Sequence, residues 1–339
     1  MSAARTADAS HLRAVVDRFA GRRVVVLGDL VADEFVNGDI ARISREAPVL
    51  ILERLETVSV PGGAGNAVAN LRALDARPVP VGIVGRDEPG ARLLAHLRTI
   101  GVPTTAIAVA RGYETPSKSR IVAGGVHTRR QQIVRLDRGA THGDLPTPVS
   151  AGVAARARRA LAGAEGLLVG DYGYGAGAPA VVRAAVAGRR PTTTVDSRAR
   201  VARFRYATAC TPNQEEVERA LGLGTLRSGR AVENAGRELL RRSGDRAVLV
   251  TRGAKGMCLI ERGSPAVHIP AFGAGEVADV TGAGDTVIAA FTLALLAGAT
   301  YAEAAILANV AAGIVVMKVG TATVTRAELK AALKEAFRP

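Results

Sequence analysis

Short apolar runs alternating with longer amphipathic stretches set the rhythm of most of this chain. Arg23-Val-Val-Val-Leu-Gly28, Val79 to Val84, Gly166 to Gly170, Thr192 to Val195, Ala207 to Cys210 and Ala247 to Val250 are too short for helices. Their continuous apolar character predicts strands buried on both faces, as in a parallel sheet. Helical stretches lie around them at Leu12 to Phe19, Ala67 to Leu74, Pro89 to Ile100, Val149 to Leu161, Ala178 to Ala187 and Arg230 to Arg242. A strand at Met257 to Ile260 follows, and helices Val287 to Ala297, Ala302 to Lys318 and Arg326 to Phe337 close the chain. This alternation predicts an α/β fold: a doubly wound, mostly parallel sheet flanked by helices.

Two stretches break the rhythm. Phe35 to Ile40 and Pro48 to Arg54, and later Thr105 to Val109, Ser117 to Val122 and Arg130 to Leu136, read as strands with no helix between them, the last two joined by a turn at Gly124-Gly125. Strands without crossover helices predict a small antiparallel β-strand lid, from about 34–60 and 104–137, inserted in a single domain spanning 1–339. No internal repeat, low-complexity tract or second core is evident. Exposed strand edges want partners, so a homodimer through the lid is expected.

Composition narrows the class. A chain of 339 residues is long enough to bury a large core without staples, and its two cysteines, Cys210 and Cys258, read as core residues of a reduced, cytoplasmic protein. No apolar run reaches the roughly 18 residues of a membrane span, and the N-terminus has no apolar signal core. The formal charge of +14 invites a nucleic-acid reading, but the arginines are scattered and aromatics are only 3%. Such a charge equally suits an acidic, phosphorylated small substrate, so no nucleic acid and no membrane partner is expected.

Candidate chemistry gathers where strands end, which is where open α/β sheets bind ligands. Asp29 and Asp33 follow the first strand, Asp171-Tyr-Gly-Tyr-Gly175, Asp196-Ser-Arg198 and Thr211-Pro-Asn-Gln-Glu-Glu216 the later ones. Any one of these acids alone is equally an ordinary loop acid; the series is informative. Pro61-Gly-Gly-Ala-Gly-Asn66 opens a helix with glycines that permit close backbone approach. Asp279-Val-Thr-Gly-Ala-Gly-Asp285 opens another, and its converging N–H groups and helix dipole favour an anion. An aspartate in that turn would repel a resting phosphate, which suggests that it takes a proton from an attacking nucleophile. Basic residues of the lid, Lys118, Arg120, Arg129, Arg130 and Arg135, are placed to meet a substrate phosphate, although a solvated strand face explains any single one.

Taken together, Gly62, Gly63 and Asn66, the pair Asn213 and Glu216, Thr251 to Gly256 and the Asp279 to Asp285 stretch resemble the ribokinase/PfkB superfamily of sugar kinases. Arg42-Ile-Ser-Arg-Glu-Ala-Pro48, Gln131-Gln-Ile-Val-Arg-Leu-Asp137, Asp171-Tyr172 and Ala308 to Thr321 are similar to the kinase half of the heptose 7-phosphate kinase/ADP-heptose synthase family. That resemblance implies an ATP-dependent kinase of the anomeric hydroxyl of D-glycero-D-manno-heptose 7-phosphate, giving the 1,7-bisphosphate. It implies Asp285 as base, and Gly282, Ala283 and Gly284 as anion hole. Asp29, Asp33, Gly62, Gly63, Asn66, Arg120, Arg135, Asp171 and Arg198 are the candidates for the sugar phosphate. Thr251, Gly253, Gly256 and Asn309 would bound ATP, Asn213 and Glu216 would hold Mg2+ through its waters, and Asp279, Thr281 and Gly320 would form a K+ site.

Where that family has Asp-Pro-Lys and Asp-Tyr-Ala-Lys-Gly, this chain has Asp196-Ser-Arg198 and Asp171-Tyr-Gly-Tyr-Gly175, both where sugar-phosphate contacts are expected. A kinase of another sugar or sugar phosphate, such as fructose, ribose or a ketohexose phosphate, is therefore the alternative. A non-catalytic sugar or nucleotide sensor is a third, opposed by the intact Asp285. No His-x-x-His or His-x-Gly-His pair occurs, so a separate nucleotidylyltransferase is expected in an ADP-heptose-type pathway.

Overall fold

The computed structural model describes residues 8–124, 131–139, 143–205, 207–273 and 277–337. The expected Gly124-Gly125 turn and the lid residues Arg129 and Arg130 lie outside the described residues in whole or part. Helix α1 (Ala9–Asp17) precedes strand β1 (Arg23–Gly28), after which the long strands β2 (Leu30–Ile43) and β3 (Leu50–Gly63) lead into α2 (Ala64–Ala73). Strands β4 (Arg77–Val81) and β5 (Ile83–Gly85), helix α3 (Glu88–Thr99) and strands β6 (Ala108–Ala110), β7 (Ser117–Gly124) and β8 (Gln131–Arg138) follow. The chain then alternates through α4 (Thr147–Leu161), β9 (Gly166–Asp171), α5 (Pro179–Ala185), β10 (Thr192–Ser197) and β11 (Ala209–Cys210). Helices α6 (Gln214–Leu221) and α7 (Gly229–Ser243) precede strands β12 (Ala247–Thr251), β13 (Met257–Glu261) and β14 (Val267–Ile269), and helices α8 (Ala283–Leu296), α9 (Tyr301–Val315) and α10 (Arg326–Ala336) end the fold.

The main sheet has eight strands in the order β14-β13-β12-β11-β10-β9-β1-β4. From β12 to β4 all pairings are parallel, and β13 and β14 add an antiparallel edge. Its strands read as unbroken apolar runs because each feeds two cores. Val24 and Val26 of β1 pack with Leu71 and Phe291 on one face, while Val25 and Leu27 pack with Leu161 and Val182 on the other. Helix α8 is buried continuously from Asp285 to Ala294, so the turn that opens it is held by the core itself. No helix among the described residues is long and apolar enough to cross a membrane.

The small sheet differs from expectation in two ways. Its order is β3-β2-β7-β8, with antiparallel pairs β2–β3 and β7–β8 joined by a parallel β2–β7 seam. The seam is parallel because β2 and β7 leave the main body side by side, where the Ala32 N–H donates to the Pro116 carbonyl at 2.8 Å. The segment expected as a lid strand at Thr105 to Val109 instead supplies β6, which pairs with β5 in a separate two-stranded sheet. There the Ala108 N–H donates to the Gly82 carbonyl at 2.9 Å, capturing the chain before it reaches the small sheet.

Candidate active site

The C-terminal ends of the parallel strands, the first turn of α8 and the inner face of the small sheet meet around Asp285, which is 7% exposed. Gly282 caps α8 with φ +79°, and a Cβ there would stand 2.4 Å from Asn66 Nδ2, so the turn needs glycine on both counts. No side chain caps this helix start; the Ala283 N–H donates to the Val280 carbonyl at 3.3 Å, and the neighbouring N–H groups and the dipole are left to favour an anion. Asn66, at the start of α2, donates through Nδ2 to Asp285 Oδ2 at 2.8 Å and to the Gly282 carbonyl at 3.3 Å. Its own Oδ1 accepts from Asn70 at 3.2 Å, and Asn70 accepts from Thr286 at 3.0 Å, so the amide is locked by a buried chain of bonds. The Tyr172 hydroxyl donates to Asp285 Oδ1. Burial raises the Asp285 carboxyl to about 6 although both donors favour its charged form, with Asp33 adding to the rise and Arg198 opposing it. A carboxylate with that proton affinity can accept and release a proton near neutrality.

Asp196, at the end of β10, stands beside this group. Burial pushes it well above the usual carboxylate range, and the charges of Glu216 and Asp285 push further. Glu216 is likewise raised, chiefly by burial. Asn213 and Glu216 form a reciprocal cap on α6, each side chain accepting the other's backbone N–H at 2.8 Å. Among the described residues no three His, Cys, Asp or Glu side chains could hold a metal directly. The excess of carboxylate charge at Asp196, Glu216 and Asp285 fits a cation that keeps its own water shell.

Farther along the same edge, Thr251 ends β12 and its N–H donates to the Pro212 carbonyl at 2.9 Å, tying it beside Asn213. Gly253 opens a single 3-10 turn to Lys255. Gly256 has φ +76°, and a Cβ there would meet the Ile269 carbonyl at 2.0 Å. Asn309 Nδ2 donates to the Pro270 carbonyl at 2.8 Å, fixing the chain that leaves β14. The Asp279 carboxylate accepts the N–H of Thr281 at 2.9 Å and of Gly320 at 3.1 Å, so the three residues expected at a K+ site are gathered at one point. Next to Gly320, the buried Thr321 hydroxyl has no hydrogen-bond partner among the described residues, an orphaned oxygen that suits a cation or a bound ligand.

On the side of the small sheet the candidates separate into two sets. Asp33 pairs with Arg120 at 2.8 Å, and Gly62 lies so close that a Cβ would meet Asp33 Oδ2 at 2.3 Å. Gly63, with φ +55°, turns the chain into α2. Arg198 stacks its guanidinium 4.9 Å from the centre of the Tyr172 ring. Arg135 is held by Asp137 at 2.8 Å on the exposed strand β8. Asp29 and Asp171 are buried and serve loops: Asp29 accepts the N–H groups of Tyr172, Tyr174 and Ala176 at 2.8, 3.0 and 2.7 Å. Asp171 accepts from the Ser197 hydroxyl at 2.6 Å and from Arg200.

Two side chains outside the candidate set, Tyr172 and Asp196, stand beside Asp285, and of the basic lid residues Lys118 is distinguished by its burial. Tyr172 and Asp196 lie within motifs visible in the sequence, but nothing local marks their side chains as facing Asp285. Lys118 of β7 is 7% exposed with no ion pair among the described residues, and it shares a face with its strand partners Asp33 and Asp137. Burial and the nearby Arg198 charge lower its proton affinity.

Residues 190–328 match the model of the pfkB family carbohydrate kinases. The chain is 42% identical over 332 residues to the bifunctional protein HldE of Mesorhizobium japonicum, covering 97% of this chain and 65% of that protein. It is 41% identical over 324 residues to the HldE protein of Caulobacter vibrioides, covering 94% and 65%. The chain therefore spans just under two thirds of the length of these relatives. In fold it is similar to Arabidopsis thaliana ribokinase complexed with ribose and ATP, with TM-score 0.71 and 21% identity over 93% of this chain and 99% of that one. It is also similar to Escherichia coli phosphofructokinase-2 in complex with potassium, with TM-score 0.73 and 17% identity over 94% and 100%.

Proposed function

We propose that the chain, whose residues 190–328 match the pfkB family carbohydrate kinases, phosphorylates the anomeric hydroxyl of D-glycero-D-manno-heptose 7-phosphate with ATP, giving the 1,7-bisphosphate. The observation that carries the reaction is a buried carboxylate raised to about 6, standing in the first turn of an uncapped helix. Asp285 takes the proton of the attacking hydroxyl as its oxygen bonds to the terminal phosphorus of ATP; the bond from that phosphorus to the bridging oxygen breaks, and ADP leaves. Backbone N–H groups of Gly282, Ala283 and Gly284 face the charge that builds on the transferring group, and the α8 dipole adds to them. Asn66 and the core packing of α8 hold the base, so transfer rests on positioning and electrostatics.

Asn213 and Glu216 would hold Mg2+ through its waters, Asp279, Thr281 and Gly320 would offer a K+ site, and such cations neutralise phosphate charge when bound. Thr251, Gly253, Gly256 and Asn309 bound the nucleotide in this reading. Asp33 and Asn66 face the sugar hydroxyls, and Asp29 and Asp171 act by anchoring the loops around the sugar. For the substrate's own phosphate, Lys118 and Arg198 are the favoured contacts, since Arg120 is engaged by Asp33 and Arg135 by Asp137. Two converging cations, one of them buried, lose their mutual repulsion when an anion joins them.

The small sheet is proposed to act as a lid and as the seat of a homodimer, because it exposes Ile43 at 66%, Leu50 at 43% and Leu136 at 58%. A scattering mass of one chain at micromolar concentration would count against the dimer. The reaction is tested by coupled ADP release over a panel of sugars and sugar phosphates, with and without magnesium and potassium. Strong preference for an unphosphorylated sugar or a ketohexose phosphate overturns the heptose assignment, and no turnover with any sugar overturns the kinase.

A further inference from the structure

Tyr172 directly follows β9, and its hydroxyl donates to the oxygen of Asp285 that Asn66 does not hold. The same hydroxyl lies 3.4 Å from Asp196 Oδ2. Several contacts leave the ring little freedom. Its backbone N–H is fixed on Asp29 Oδ2 at 2.8 Å, and the Arg198 guanidinium covers its face at 4.9 Å. Glycine backbone makes room for its edge: a Cβ at Gly63 would come within 3.3 Å of the ring and one at Gly170 within 3.5 Å. Burial and the neighbouring negative charges of Asp285 and Asp196 push the phenol well above its ordinary range, so it stays protonated and acts as a donor.

We infer that Tyr172 is a positioning residue for the base: Tyr172 and Asn66 each hold one oxygen of the Asp285 carboxylate, fixing its plane so that the remaining lone pairs meet the acceptor hydroxyl, while Arg198 clamps the tyrosine ring. This rests on the reading of Asp285 as base. The stacking also gives Arg198 a task that a lysine would perform less well, since the planar guanidinium covers a ring face that an ammonium only touches at a point. Charged groups facing Asp285 are Asp33 from β2 and Asp196 and Arg198 from the end of β10; Asn66 from α2 and the Tyr172 hydroxyl are its neutral donors.

Tyr172→Phe keeps the ring and removes only the donor. Its kcat is expected to fall about 10- to 100-fold through loss of base alignment, with the KM for ATP unchanged. The acid limb of its kcat profile should move up by about one pH unit, because the charged base has lost one of two stabilising donors. The same upward move should appear in the Asp285 carboxyl titration followed by carbon NMR of the labelled protein, a readout that needs no turnover. Arg198→Met, which frees the ring but keeps the hydroxyl, should give the same changes at smaller size, and it covers the case in which the phenylalanine variant does not fold. Unchanged kcat and an unchanged titration in Tyr172→Phe overturn the inference. If the wild type phosphorylates no sugar while the titration still moves, the kinase reading fails and the carboxylate clamp stands as a structural feature only.

Discussion

Strands β1 and β8 differ little in length, yet β1 buries five of its six residues and β8 exposes all eight. The difference lies in what covers them. Helices pack both faces of the main sheet, so β1 contributes to two cores at once and its end is held by the surrounding packing. Asp285 inherits that rigidity through α8. The small sheet leaves β8 exposed along its whole length, and its least exposed charged side chains are in the row of Asp33, Lys118 and Arg120. Its fold therefore supports a site that meets a substrate rather than one that holds a reacting atom. In the proposed function this becomes a division of labour: the covered sheet positions the reaction, and the uncovered sheet selects what reacts.

The largest effect should come from the covered side. Asp285→Asn is expected to lower kcat by about 10²- to 10⁴-fold with little change in thermal stability, read by ADP release and by melting. Retained turnover in that variant would break the role given to the main sheet. In the same helix, Phe291→Ala empties a fully buried position and should cost about 3–5 kcal/mol in urea unfolding, against less than about 0.5 kcal/mol for Leu136→Ala on the small sheet at dilutions that separate the proposed dimer. A large loss at Leu136 at higher concentration would show that its face is covered, as a dimer requires.

Lys118→Met should raise the KM for a sugar phosphate by about 10- to 100-fold, the loss of one charged contact, while leaving the KM for ATP and for any phosphate-free sugar unchanged. An equal change for a phosphate-free sugar would break the assignment of selection to the small sheet.

The smallest effect concerns Asp245, buried just before β12, whose carboxylate faces the Cys210 thiol and the Ser243 hydroxyl without a hydrogen bond of ordinary geometry. Burial raises it to about 6. Because the folded value lies above the unfolded one, its contribution to stability is full below about pH 4 and is lost as pH rises through about 6. Melting temperature should therefore fall between about pH 4 and 6, and Asp245→Asn should flatten that part of the curve, worth about 1–3 kcal/mol. Asp29, also raised to about 6 by burial, contributes with the same sign.

Much of this architecture is legible in the sequence. The apolar runs from Arg23 to Val250 become parallel strands, the glycine turns before Asn66 and Asp285 open helices, and the acid-bearing strand ends gather at one sheet edge. Periodicity and turn chemistry are local properties, set by which faces are covered and which backbone angles glycine permits. The pairings were not legible. Nothing near Asp29 or Asp171 in the chain says that their carboxylates anchor loops, or that Asp33 pairs with Arg120 while Lys118 has no ion pair among the described residues. Asn66 and Asp285 are 219 residues apart, and Tyr172 and Asp285 are 113 apart. The sequence by itself determined the sheet, its ends and the glycine turn that opens α8. Which charged side chains those ends turn toward one another was decided only by tertiary packing, because hydrogen bonds and ion pairs act over a few ångströms of space and register no distance along the chain.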